Sequence, residues 1–226
     1  MKLNKGIFPE EIFKDIKKKD GYIAIIFIIT YFLFSFIDFY LFKDFMLGIN
    51  TKIYSKELRR LLSGIGFYIL PIIAIFIILK LRNQKISTIG FRQHGLRCSI
   101  ILGIILVAII SIGHILNGKE LSSIIYNLIF FICILGFSEE IVFRGFLWPR
   151  LVVCFGKKYG TILSGIFFGI MHAPVNIVLK EGSFLNSIFN EIGGGIVGSL
   201  LFIYIYTRNS NIILPSFIHG ALDFLA

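Results

Sequence analysis

Cysteine is scarce in this 226-residue chain: Cys98, Cys133 and Cys154 are odd in number, far apart and without CxxC spacing. That rules out a disulfide framework and a cysteine-built metal cage. Lying in or beside apolar stretches, they read as reduced, buried, small hydrophobes. Charge is sparse as well, at 16% Asp, Glu, Lys and Arg, against about 25% in soluble globular domains. No internal repeat or low-complexity tract is visible, which weighs against the repeated halves common among secondary transporters. A signal peptide is also missing, because residues 1–20 carry four acids among their lysines and no apolar core.

What the chain does have is hydrocarbon. It is 56% hydrophobic and 15% aromatic, with a mean hydropathy of +0.86. Runs of about 20 apolar residues cross a bilayer, and seven stretches approach that length: Tyr22–Phe42, Leu61–Leu79, Cys98–Leu116, Ile124–Phe137 extended to Trp148, Thr161–Val178, Ile192–Tyr206 and Ile212–Leu225. The expected fold is all-α, a polytopic transmembrane helical bundle of seven spans, or eight if Lys43–Arg60 holds a re-entrant piece. Residues 1–20 read as an interfacial segment, 21–120 as N-terminal spans and 121–226 as the core that carries chemistry. The net charge of +10 does not indicate nucleic acid, because the basic residues cluster beside apolar runs. Such clusters follow the positive-inside rule and attract anionic lipid. Lys80–Arg97 and Arg150–Lys158 are therefore expected in the cytoplasm, and the five basic residues of Lys43–Arg60 stand as an exception on the outer side.

A charge at mid-bilayer costs roughly 2.5–3.5 kcal/mol on insertion scales, so intramembrane ionisable residues are functional candidates. Five stand in the C-terminal half: Glu139, Glu140, Arg144, His172 and His219. On a helix Glu140 and Arg144, four apart, share a face and can pair. Glu139 points about 100° away and lacks that partner, which leaves it as the carboxylate suited to take a proton from water. His172 follows Gly165 and Gly169 on one face, a small-residue pattern that would hold it against a neighbouring span. Pro174 is expected to end that helix. Ser216, His219 and Asp223 share another face, where His219 and Asp223 can bind a metal, orient each other or serve a developing oxyanion. Gly193, Gly194, Gly195 and Gly198 read as a smooth packing face. His94 and His114 read as bystanders, and Asp38, near a span end, as exposed at the interface.

Glu139-Glu140-Ile-Val-Phe-Arg144-Gly145, Phe168-Gly-Ile-Met-His172 and His219-Gly-Ala-Leu-Asp223 resemble, in order and spacing, the three motifs of the CPBP intramembrane proteases. That family includes the Ras-converting type of CAAX prenyl endopeptidase and the bacterial Abi group linked to bacteriocin processing and self-immunity. The resemblance covers about Phe131 to Ala226. It implies a membrane-embedded cavity opening towards the cytosol, water activated by Glu139 and His172, a structural Glu140–Arg144 pair, and an oxyanion served by His219 and residue 223. One common version of the last motif ends in Asn, and an ionised Asp223 cannot donate a hydrogen bond.

Asp223 does suit a metal, and the family has also been described as metalloproteases. Glu139, His172, His219 and Asp223 form a set zinc would accept, although no HExxH pair lies on one helix. A metal-free glutamate–histidine mechanism is preferred slightly over zinc. The expected function is an endopeptidase of the cell membrane, cleaving near the C-terminus of a membrane-associated or prenylated protein or peptide. Its partners would be membrane lipid and that substrate, with no nucleic acid. The alternatives are a non-catalytic scaffold or self-immunity protein and, behind it, a proton-coupled transporter.

Overall fold

The computed structural model describes residues 8–49, 55–180 and 183–225. Among these every regular element is helical: α1 (Lys18–Leu47), α2 (Lys56–Leu81), α3 (Leu96–Leu116), α4 (Leu121–Leu128), α5 (Phe137–Glu140), α6 (Trp148–Ile170), α7 (Ala173–Leu179), α8 (Phe184–Asn209) and α9 (Ile213–Leu225). Two π-helical segments, Ile129–Gly136 and Ile141–Leu147, join α4 to α5 and α5 to α6. Each of the seven apolar stretches lies mainly in helix, with Thr161–Val178 broken at Met171–His172 between α6 and α7. Five helices are long and apolar enough to cross a membrane, the run Leu121–Leu179 counting as one, and at most 33% of any span window is buried inside the bundle. The rest turns Ile26, Leu33, Ile37, Ile104 and similar side chains outward, a surface that only lipid can cover. This is an integral membrane protein.

Local sequence sets the breaks. Ser55 caps α2 by accepting the Leu58 N–H at 3.2 Å, while Pro71 sits inside α2 without ending it. The run from Leu121 folds back at Gly156, whose φ of 81° lies where residues with a Cβ are strained. Beyond it the two arms of α6 touch, since a Cβ on Gly160 would lie 2.5 Å from the Val152 nitrogen. Of the stretch expected to hold a re-entrant piece, residues 50–54 lie outside the described residues; the rest is the end of α1 and the start of α2.

The two ends of the bundle differ. At one, which we term the clamped end, Asp20 at the start of α1 accepts from Arg82 Nε (2.9 Å), Gln84 Nε2 (2.9 Å) and the Lys17 N–H (2.7 Å). Gln84 Oε1 in turn accepts from Arg150 at 2.6 Å, and Arg92 reaches the end of α8 through the Tyr206 hydroxyl (2.7 Å) and the Ser210 carbonyl (3.0 Å). Phe8 and Phe13 pack on Trp148, with ring centroids 5.9 and 5.5 Å away; residues 1–7 of the expected interfacial segment lie outside the described residues. At the opposite end, Arg60 donates to Asn127 (3.3 Å) and Asn176 to Glu191 (2.6 Å).

Two local expectations are corrected. Asp38 is buried, 5% exposed, because it faces α2 where Gly66 leaves room: a Cβ there would lie 4.0 Å from Asp38 Oδ1. Of the three free cysteines only Cys154 is buried, against Gly21, while Cys98 and Cys133 lie on outward faces.

Candidate active site

Glu139 and Glu140 sit on α5, one turn of α-helix between two π-helical segments. Such π turns are uncommon and recur at functional sites. Being adjacent, the two acids face different surroundings.

Glu140 looks into packed protein. Its Oε1 lies 2.9 Å from Arg144 Nη1, and both side chains are 0% exposed. The guanidinium sits 4.0 Å from the Phe168 ring centroid and 4.9 Å from that of Phe202, so aromatic faces shield the cation. A third partner comes from α9: His219 Nδ1 lies 2.8 Å from the same Glu140 oxygen, and its ring stacks on Phe202 at 4.6 Å. Two glycines bring α9 so close. A Cβ on Gly136 would lie 2.5 Å from the Ser216 carbonyl, and one on Gly220 would overlap the Phe131 carbonyl.

Glu139 looks into open space. It lines a cavity of about 640 Å³ with Tyr31, Tyr68, Phe143, His172 and Asp223. Its Oε2 makes no hydrogen bond among the described residues, yet lies 3.5 Å from His219 Nε2 and 4.0 Å from His172 Nε2. Asp223 Oδ2 lies 3.6 Å from His219 Nε2. His172 Nδ1 is 2.8 Å from the Phe168 carbonyl. A carbonyl only accepts, so Nδ1 carries the proton, and in the neutral ring Nε2 keeps its lone pair towards the cavity. Glu139 Oε2 and His172 Nε2 are 4.0 Å apart, a separation one water can bridge with hydrogen bonds of about 2.8 Å, with Oε2 itself buried in this structure.

All six residues singled out in the sequence thus meet in one place, but His172 arrives by a different route. α6 ends at Ile170, so His172 leaves the glycine face, stands at the start of α7 and is 39% exposed to the cavity. The glycine seam itself exists: Gly165 packs on Ile196, and Gly169 on Glu191 and Gly195 of α8. Of the four glycines on α8 only Gly195 is in tight contact; Gly193 and Gly194 have nothing within 4 Å. His114 packs its ring 4.3 Å from Phe224 and His94 meets the Asn209 carbonyl, both away from the cavity.

Among the described residues no group of three or more His, Cys, Asp or Glu side chains is disposed to hold a metal ion. His219 turns Nδ1 to Glu140 and His172 turns Nδ1 to a carbonyl, which leaves both Nε2 atoms towards Glu139.

Sequence reasoning missed the N-terminal contribution. Tyr31 and Tyr68 wall the cavity, and Lys56, Arg60 and Lys180 stand along it towards Met46. The available signal was the basic cluster in Lys43–Arg60 that broke the charge rule, since two of its members turn into the cavity. These residues also show where the cavity leads. Met46 is in the last turn of α1, Lys56 begins α2 and Lys180 follows α7, so the mouth is at the end opposite the clamp. A cytosolic cavity and cytosolic Lys80–Arg97 and Arg150–Lys158 loops therefore exclude each other.

Residues 121–225 match the family model for the Rce1-like type II CAAX prenyl endopeptidases. The match agrees with the resemblance carried by the three motifs and leaves residues 1–120 uncovered. No curated protein and no solved structure matches the chain.

Proposed function

We propose that this integral membrane protein is an endopeptidase of the CAAX type, resident in the cell membrane and cleaving near the C-terminus of a membrane-associated or lipidated peptide or protein. The observation that carries this reading is the gap between Glu139 Oε2 and His172 Nε2 at the floor of the cavity. A water held there is oriented by the His172 lone pair and loses a proton to Glu139 as its oxygen attacks the scissile carbonyl. The C–N bond then breaks, and Glu139 returns the proton to the leaving amine.

His219, holding Nδ1 towards Glu140, can present an Nε2–H to the oxyanion when its ring carries both protons. Asp223, 3.6 Å from that nitrogen, then orients the ring rather than acting as a donor itself. The cations Lys56, Arg60 and Lys180 suit a substrate with a free terminal carboxylate, and the aromatic wall suits apolar residues or a lipid chain behind it. The glutamic rather than metal-dependent chemistry, the Abi-like substrate range and the residue roles all belong to this reading.

The test uses purified full-length protein with lipidated and plain peptides. Glu139→Gln should lower the cleavage rate by about 10²–10⁴-fold, the usual contribution of a general base, at unchanged thermal stability. Retained cleavage by a folded Glu139→Gln protein would remove the assignment.

A further inference from the structure

The two ends of the bundle carry unequal charge. Lys17, Lys80, Arg82, Lys85, Arg97 and Lys157 all belong to the clamped end, and Lys80–Arg97 contains no acid. Among the described residues, Lys and Arg flanking the helices at the clamped end outnumber those at the mouth end by about two to one, and short loops with such an excess are retained in the cytoplasm. Part of the mouth-end charge is moreover not loop charge. Lys56, Arg60 and Lys180 line the cavity, and the Arg60 guanidinium lies 5.2 Å over the Phe131 ring while donating to Asn127. A place on the cavity wall accounts for Lys56 and Arg60, two of the five cations of Lys43–Arg60 that break the rule, and the loops that obey it lie at the other end.

We infer that the clamped end faces the cytoplasm and that the cavity takes its substrate from the non-cytoplasmic side. The substrate class is then a peptide or protein segment displayed outside the cytoplasm, with an anionic C-terminus for the cationic mouth, rather than a cytosolic prenylated protein. The direction of the cavity does not depend on the protease reading; what fills the cavity does.

Two reporters test the direction. In full-length protein with Cys98→Ser, Cys133→Ser and Cys154→Ala, a single cysteine is introduced as Lys119→Cys, exposed between α3 and α4 at the mouth end, or as Lys157→Cys, exposed at the clamped end. A membrane-impermeant maleimide applied to intact cells should label Lys119→Cys and reach Lys157→Cys only after permeabilisation. Labelling of Lys157→Cys from outside, with Lys119→Cys protected, overturns the inference. A quenched fluorogenic peptide added outside the same cells should be cleaved as the free acid at least tenfold faster than as its C-terminal amide. Correct labelling without cleavage of either peptide removes the protease reading and leaves the direction standing; cleavage only after permeabilisation overturns the direction.

Discussion

Glu139 and Glu140 are neighbours in sequence and occupy two unlike regions. Behind Glu140 the bundle is closed: a cation, an imidazole and two aromatic rings pack around it, and its side chain is 0% exposed. In front of Glu139 the bundle opens into the cavity and its side chain keeps 13% exposure, although its Oε2 is buried without a hydrogen-bond partner among the described residues. In the proposed reading the closed region fixes positions and the open region does the chemistry. His219 belongs to both, with one ring nitrogen in each. Charge density alone does not mark a catalytic group; two equal acids divide the roles according to what their helix face meets.

The comparison predicts opposite signatures for the two acids. Glu139→Gln should lose about 10²–10⁴-fold in rate and nothing in stability, as peptide turnover and thermal unfolding in detergent will show. Arg144→Ala should do the reverse at first sight, because removing one side of a buried pair costs roughly 3–5 kcal/mol; a clear drop in melting temperature and yield is expected, and unchanged melting would break the distinction. His172→Ala stands between them. It should lower kcat with little change in KM or melting, since the ring is 39% exposed and its fixed partner is a backbone carbonyl. Arg60→Gln removes a cation of the cavity wall along with its contacts to Asn127 and the Phe131 ring, and should raise KM several-fold for free-acid peptides while leaving amidated ones unaffected. The smallest effect belongs to a contrast on α8. Gly193→Ala meets open space and should stabilise by up to about 1 kcal/mol, whereas Gly195→Ala, pressed on Gly169, should destabilise.

Much of this was legible in the sequence because the bilayer enforces it. A span needs a long apolar run, so the helices announced themselves, and a charge within such a run is conspicuous. That is why Glu139, Glu140, Arg144, His172 and His219 stood out before any geometry. Helical periodicity also paired Glu140 with Arg144 correctly. Periodicity says which residues share a face but not which helices become neighbours, so the His219–Glu140 contact and the walls built by Tyr31 and Tyr68 stayed hidden. The orientation of His172 was misjudged because its helix ends two residues earlier than the glycine pattern suggests. Asp38 was misjudged because nearness to a span end says nothing about an opposing glycine such as Gly66.

The length of α1 has a consequence for the membrane around the cavity. Its 30 residues extend about 45 Å at 1.5 Å per residue, against a hydrocarbon thickness of about 30 Å. The surplus is taken up by tilt or by α1 standing clear of the hydrocarbon at one end, and Phe39 and Met46 put the last turns of α1 on the cavity wall. One continuous helix thus supplies both the polar clamp at Asp20 and, about 40 Å away along its axis, part of the wall at the mouth.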